Sequence, residues 1–314
     1  MPSLSIVIPV YNAELTLADL HAQLLPTLAN ITQDFEIILV EDGSLDKSWA
    51  IVEALASQDT HTQGIRLSRN YGQHNALLCG IRTACYDITI TMDDDLQHPV
   101  SELPILLAKL NEGYDVVYGA PQRQQHGLLR DMASRITKLA LKGAMGVETA
   151  SNVSALRAFR TELRAAFVDY RSPTVSIDVL LTWATANFGV VHVRHDPRAA
   201  GQSNYTLRKL VTHAFNLLTG FTTLPLQIAS YIGFTFALFG LGVLLWVVGR
   251  YLMGGSSVPG FPFLASIIAI FSGVQLFALG ITGEYLARIH FRTLERPAYV
   301  VRKSEVNPVQ ETQD

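Results

Sequence analysis

An α/β fold followed by a membrane hairpin is the architecture that this sequence of 314 residues predicts. Three observations lead there. Four short apolar runs in the N-terminal half each close on a polar cluster, with amphipathic stretches between them. One of those clusters is three consecutive acids, Asp93-Asp94-Asp95. The C-terminal third contains two long stretches without a charged residue. Continuous apolar runs alternating with helices indicate a parallel sheet covered on both faces.

The first run, residues 4–10, is rich in β-branched side chains and closed by Pro9. Tyr11 and Asn12 then lead into an amphipathic segment over residues 14–28. The second run, residues 35–40, ends in Glu41-Asp42-Gly43-Ser44, where Ser44 reads as the N-cap of a helix over residues 45–57. The third, residues 64–68, ends in Arg69-Asn70-Tyr71-Gly72-Gln73-His74, before a helix reaching Cys85. The fourth, residues 88–92, delivers the acids, and Pro99 stops the run. Ligands of such sheets bind beyond the carboxyl ends of the strands, so residues 9–12, 41–44, 69–74 and 93–97 are expected to converge.

Three adjacent carboxylates repel one another, and a divalent cation relieves that repulsion most directly. Hard oxygen ligands at the end of a buried strand suit Mg²⁺ or Mn²⁺. The alternative is a solvated acidic loop. Neither a dinucleotide fingerprint nor a P-loop occurs, so a phosphate-bearing ligand is expected to be held through metal.

The middle of the chain is less regular. Residues 114–118 and 190–193 read as strands. Residues 123–142 form a basic, partly amphipathic stretch with Arg123, Arg130, Arg135, Lys138 and Lys142, which suits a solvated helix face, an anion site or a membrane-surface contact. An amphipathic helix over residues 206–219, bearing Arg208, Lys209 and His213, fits an interfacial helix approaching a bilayer or a packed surface helix.

Residues 226–248 and 261–283 carry no charge and are long enough to cross the hydrocarbon core, which takes about 20 apolar residues. The short loop between them, residues 254–260, makes an antiparallel hairpin. Arg208 and Lys209 precede the first span, and Arg288, Arg292, Arg296, Arg302 and Lys303 follow the second, while the hairpin side holds Arg250. The positive-inside bias therefore predicts an inner-membrane protein with both termini and the α/β domain in the cytoplasm. Small residues at Gly233, Gly240, Gly242, Gly273 and Gly280 offer surfaces for self-association.

Composition agrees. A charged fraction of 16% is low for a wholly soluble protein, and a net charge of −3 gives no electrostatic footprint for nucleic acid. Cys79 and Cys85 match no metal or redox spacing and read as small core residues of one helix in a reducing compartment. The N-terminus opens directly into a strand, so no cleaved signal peptide is expected.

Six motifs together carry a resemblance: Val7-Ile8-Pro9-Val10-Tyr11-Asn12, Val40-Glu41-Asp42-Gly43-Ser44-Leu45-Asp46, the segment from Arg69 to His74, Asp93-Asp94-Asp95-Leu96-Gln97-His98-Pro99, Gly201-Gln202-Ser203-Asn204-Tyr205, and Gly283-Glu284-Tyr285-Leu286-Ala287-Arg288. In these the chain resembles family 2 glycosyltransferases, specifically the bacterial polyisoprenyl-phosphate glycosyltransferases, which are similar in their catalytic domain to dolichol-phosphate mannose synthase. The resemblance implies a GT-A fold over residues 1–200, an interfacial linker over 201–224, the hairpin over 225–284 and a cytosolic tail over 285–314.

It also implies an inverting transfer from a nucleotide diphosphate sugar, a UDP-sugar above all, to polyisoprenyl phosphate, for envelope glycan modification. Pro9, Tyr11, Glu14, Asp42 and Asp94 are then expected to line the nucleotide pocket, and Asp93 and Asp95, with Gln97, to bind the metal. Arg130, Arg135 and Arg198, with the loop around Ser203, are the candidates for the acceptor phosphate. The chain departs from the family pattern at Ser151 and Asn152, where an Asp commonly precedes the residue matching Arg157, and at Asn204, where a Lys is usual. A non-catalytic nucleotide-sugar-binding scaffold is the competing reading. A processive polysaccharide synthase fits less well, because no Arg-Trp dipeptide is present.

Overall fold

The computed structural model describes residues 2–121, 152–172, 175–196, 223–254 and 260–305. The expectations for Arg130, Arg135, Ser151, Arg198, Ser203, Asn204 and the interfacial helix lie outside those residues. Eight described strands form one sheet: β1 (Leu4–Val10), β2 (Phe35–Glu41), β3 (Thr62–Leu67), β4 (Ile88–Thr91), β5 (Val116–Pro121), β6 (Arg157–Arg160), β7 (Phe188–Val193) and β8 (Val301–Glu305), in the order β7-β5-β6-β4-β1-β2-β3-β8.

β4, β1, β2 and β3 run parallel, as continuous apolar runs demand, and every residue of β1 and β2 is buried. Each face is covered by helices. On one side α1 (Leu17–Ile31) buries Leu17, Leu20, Leu24 and Leu28, a stripe at three- and four-residue spacing, alongside α2 (Ser48–Gln58) and α4 (Leu103–Leu110). On the other, α3 (Gln73–Thr83) and α5 (Ile177–Ala184) pack on Val7, Ile38 and Val40. Alternate residues of β1 thus serve opposite cores, Ile6 and Ile8 one and Val7 the other.

The sheet is mixed, and there the parallel expectation is corrected. β6 runs antiparallel between β4 and β5, and β8 antiparallel against β3. β6 spans four residues, and its Arg157 and Arg160 hide the apolar signal of a strand. Ser44 does not cap α2. That helix starts at Ser48, and Asp46 satisfies its first turn by accepting from the Ser48 amide at 3.0 Å. Cys79 is buried in α3 as expected, but Cys85 lies beyond the helix and is exposed.

The two long helices, α6 (Leu224–Gly254) and α7 (Phe261–Thr293), contain apolar windows over Pro225–Arg250 and Ile270–His290 that are long enough to cross a membrane. They pack antiparallel with Gly240 against the Phe271 ring, so at least this glycine serves the hairpin's own interface. The segment after α7 does more than trail away. Ala298 enters the core beside α3 and α5, the Ser68 amide donates to the Val300 carbonyl at 2.8 Å, and β8 closes the edge of the sheet.

Candidate active site

The carboxyl ends of β1 to β4 carry the four polar clusters, and hydrogen bonds tie them together. The Tyr11 amide donates to Asp94 Oδ2 at 3.0 Å, joining the first cluster to the acids. Asn12 accepts from the Leu45 amide at 2.9 Å and its own amide donates to Ser44 Oγ at 3.1 Å, joining the first to the second. Asp42 accepts from the Tyr71 and Gly72 amides at 2.7 and 2.8 Å, joining the second to the third. Gln73 Nε2 donates to Asp93 Oδ1 at 2.5 Å, which closes the ring from the third back to the acids.

Local backbone makes this possible. β4 ends opposite Val7, so Pro9, two residues on and facing the same way, lacks an N–H where no ladder partner stands. Gly43 sits at φ 68°, and a Cβ there would lie 2.4 Å from the Asn70 amide nitrogen, so only glycine lets the two loops touch. Leu96 holds φ 60° inside the acidic turn, a strained choice for a leucine that costs on the order of 1 kcal/mol and re-aims the acids around it.

Charge is managed by burial and pairing. Asp42 is 2% exposed, and that burial pushes its carboxyl up to about 6 despite the two amides that favour its ionised form. Neighbouring Glu41 is fully buried, pairs with Arg66 Nε at 3.2 Å, and accepts from the Ser44 amide. Glu14 reaches across to accept from the Lys47 amide at 3.1 Å, so it braces the loop entering α2.

Asp95 is buried and its Oδ1 accepts from the Gln97 amide at 3.2 Å. Among the described residues, no three His, Cys, Asp or Glu side chains stand together as a complete metal cage. Mg²⁺ does not require one, since it commonly takes one or two carboxylates and fills its remaining positions with water and phosphate oxygens. The all-oxygen donors at Asp93, Asp95 and Gln97 fit that requirement.

Two supports escaped sequence reasoning. Gln97 O accepts from the Asp196 amide at 2.9 Å, and the His98 ring meets the His195 ring edge-on at 4.9 Å, so the exit of β7 is docked on the acidic turn. Burial holds the His98 imidazole down to about 4, so it stays neutral. The second is a buried trio beneath the same turn: Arg157 Nη1 donates to Asp178 Oδ1 at 2.5 Å, and Tyr118 Oη donates to the same oxygen at 3.0 Å. Arg157 stands opposite Thr91 in the β4–β6 register. No spacing in the sequence links these three, because they come from β5, β6 and α5.

Known proteins resemble this chain in sequence and in fold. The pattern of Glycosyl transferase family 2 matches residues 5–167, and the chain belongs to that family. It is therefore a glycosyltransferase. It is 38% identical to the undecaprenyl-phosphate 4-deoxy-4-formamido-L-arabinose transferase of Shewanella sediminis, over 95% of this chain and 91% of that one. The protein of the same name from Proteus mirabilis is 36% identical, over 95% and 93%.

Among solved structures, glucosyl-3-phosphoglycerate synthase of Mycobacterium tuberculosis, in complex with Mn²⁺, UDP-glucose and phosphoglyceric acid, superposes with a TM-score of 0.51 at 18% identity, covering 69% of this chain and 78% of that one. Mannosyl-3-phosphoglycerate synthase of Rubrobacter xylanophilus gives 0.51 at 16%, covering 83% and 79%. At such identities these two speak for the fold, which is the GT-A-like sheet that the sequence predicted.

Proposed function

We propose that this enzyme moves a sugar from a UDP-linked donor to polyisoprenyl phosphate at the cytoplasmic face of a membrane, with 4-deoxy-4-formamido-L-arabinose as the sugar. The observation that carries the reading is the closed ring of contacts at the carboxyl edge, which ties Asp42, Asp93 and Asp94 together, with Asp95 next in the chain. Similarity along 95% of the chain to transferases named for that acceptor and sugar supports the choice of substrates. The hairpin supports the location. Both α6 and α7 connect to one sheet domain, through β8 on the C-terminal side, so an even number of crossings returns the chain to its starting face.

In this mechanism Asp42 accepts an N–H or hydroxyl of the nucleoside, and the Tyr11 backbone, anchored on Asp94, shapes the floor for it. Asp93 and Asp95, with Gln97, hold a divalent cation, Mg²⁺ or Mn²⁺, which when bound neutralises charge on the departing diphosphate. An acceptor phosphate oxygen bonds to the anomeric carbon as the bond from that carbon to the UDP β-phosphate oxygen breaks, and its electron pair leaves with UDP. The acceptor monoester has a second pKa of about 6 and arrives ionised, so no side chain must take a proton. Asn152, in place of the family's aspartate, is compatible with such a reaction.

Offering UDP-4-deoxy-4-formamido-L-arabinose, UDP-glucose and UDP-N-acetylglucosamine singly with undecaprenyl phosphate tests the choice. The formamido sugar alone should enter the lipid fraction, and preference for another donor overturns the sugar assignment. Arg130 and Arg198 are proposed to hold the acceptor phosphate. Arg130→Ala or Arg198→Ala should raise the acceptor KM about tenfold or more with the donor KM unchanged, the loss expected for a charge-assisted hydrogen bond.

A further inference from the structure

One of the three acids is reached from the helices on one face of the sheet. Ile90 and Met92 enter the core under α1, whereas Thr91 pairs with Val7 on the opposite face, where α3 and α5 pack. Asp93, two residues on, is met from that face by Gln73, the first residue of α3. The next residue, His74, accepts at Nδ1 from the amide of Ile177, the first residue of α5, at 3.3 Å. A ring nitrogen that accepts carries no proton, so the neutral imidazole is protonated on Nε2.

That amide needs an acceptor from outside its own helix. The first turn of a helix leaves its N–H groups without intrahelical partners, and Ser176, the N-cap of α5, makes no side-chain capping bond. Ser176 and Ile177 are both buried, where an unmet amide is costly. One residue further, Asp178 holds Arg157 and Tyr118. Register sets Arg157 between Tyr118 of β5 and Thr91 of β4, in one row across the sheet. The contacts thus leave Asp93 through the start of α3, cross to the start of α5, and return through Arg157 to Thr91, two residues before Asp93.

The links in this bracket differ in stiffness. The Arg157–Asp178 pair is buried and the strands are paired, while Gln73 is exposed and stands at a helix end, which frays unless held. Asp42 holds the backbone that enters α3, and His74 ties the first turn of α3 to α5. We propose that His74 is a positioning residue for the cation: by fastening the first turn of α3 to the anchored start of α5, it keeps the Gln73 amide on Asp93 and that carboxylate in one orientation. The inference rests on the reading that Asp93 helps hold a divalent cation. Groups that orient a metal ligand act on affinity for the ion, so binding is the property to measure.

The test follows Mn²⁺ binding to the full-length protein in detergent with UDP present, from the electron paramagnetic resonance signal of free Mn²⁺, beside the thermal midpoint without metal. His74→Ala should bind Mn²⁺ about threefold to tenfold more weakly, the range of one neutral hydrogen bond. His74→Asn, whose Oδ1 stands where Nδ1 stood, should recover most of that loss. Gln73→Ala should be weakened about tenfold, and adding His74→Ala to it should cost nothing more, since the two act along one path. Losses that add, an Asn variant no better than the Ala variant, a Gln73→Ala variant that binds as the parent does, or a lower thermal midpoint with Mn²⁺ affinity unchanged would each overturn the proposal. Mn²⁺ bound as tightly by Asp93→Ala as by the parent overturns the cation reading itself, and the inference falls with it. A weakened Asp93→Ala beside an unchanged His74→Ala overturns the inference alone.

Discussion

Asp42 shows how a single residue can be placed against its own stability. Burial raises its carboxyl from 3.8 to about 6, so the folded state holds that proton more tightly than the unfolded chain does. Ionising it therefore costs stability as pH rises from about 4 to about 6, and the same ionised form is the one proposed to accept hydrogen bonds from the donor. UDP affinity measured by calorimetry should fall as pH drops from 7 to 5. In Asp42→Asn it should be about tenfold to a hundredfold weaker at pH 7 and flat across that range, the scale of a hydrogen bond to a charged group. His21 works in the opposite sense. Burial lowers its imidazole below 6.5, so the unfolded chain takes up protons first, and stability present above that value is lost as pH falls. The thermal midpoint should drop between pH 7 and 5, and His21→Gln should reduce the drop.

At the scale of elements, the periodicities that could be read were those with nothing else competing for the same residues. β1 to β4 and α1 to α3 stand out because their apolar stripes are continuous, and the four polar clusters mark where those strands end. β6 and β8 were not legible, since strands that carry Arg157 and Arg160, or Arg302 and Lys303, have no hydrophobic alternation and are defined by their neighbours. The start of α2 was misplaced because Ser44 and Ser48 are both plausible from sequence, and the Asp46 side chain decides between them. The meeting of the second and third loops was expected from the strand order, and Gly43 is what lets them approach so closely. Gly43→Ala should abolish UDP binding, because its Cβ meets the Asn70 and Arg69 backbone, which cannot move as a side chain can. Circular dichroism of the variant should stay close to the parent, since the sheet core does not include this loop.

For the whole molecule, the acid cluster, the α/β domain and the hairpin were each legible as local patterns, and their joint meaning came from order and spacing. The supports that bring distant segments together were not. His98 against His195, Arg157 with Asp178 and Tyr118, and the return of the chain into the sheet after α7 all depend on topology. These links tie β5, β6, α5, the exit of β7 and the chain after α7 to the sheet whose carboxyl edge carries the acids.

The central claim is a transfer in which Asp95 helps hold the cation, and the most direct test compares the protein with Asp95→Ala. Both are given the formamido-arabinose UDP donor, undecaprenyl phosphate and Mg²⁺ or Mn²⁺, and lipid-linked sugar is measured by mass spectrometry. The parent should form the product, lose it on chelation, and exceed the variant by about a hundredfold or more, the scale of losing charge stabilisation at a leaving group. Equal product from the two proteins, or product that survives chelation, contradicts the account.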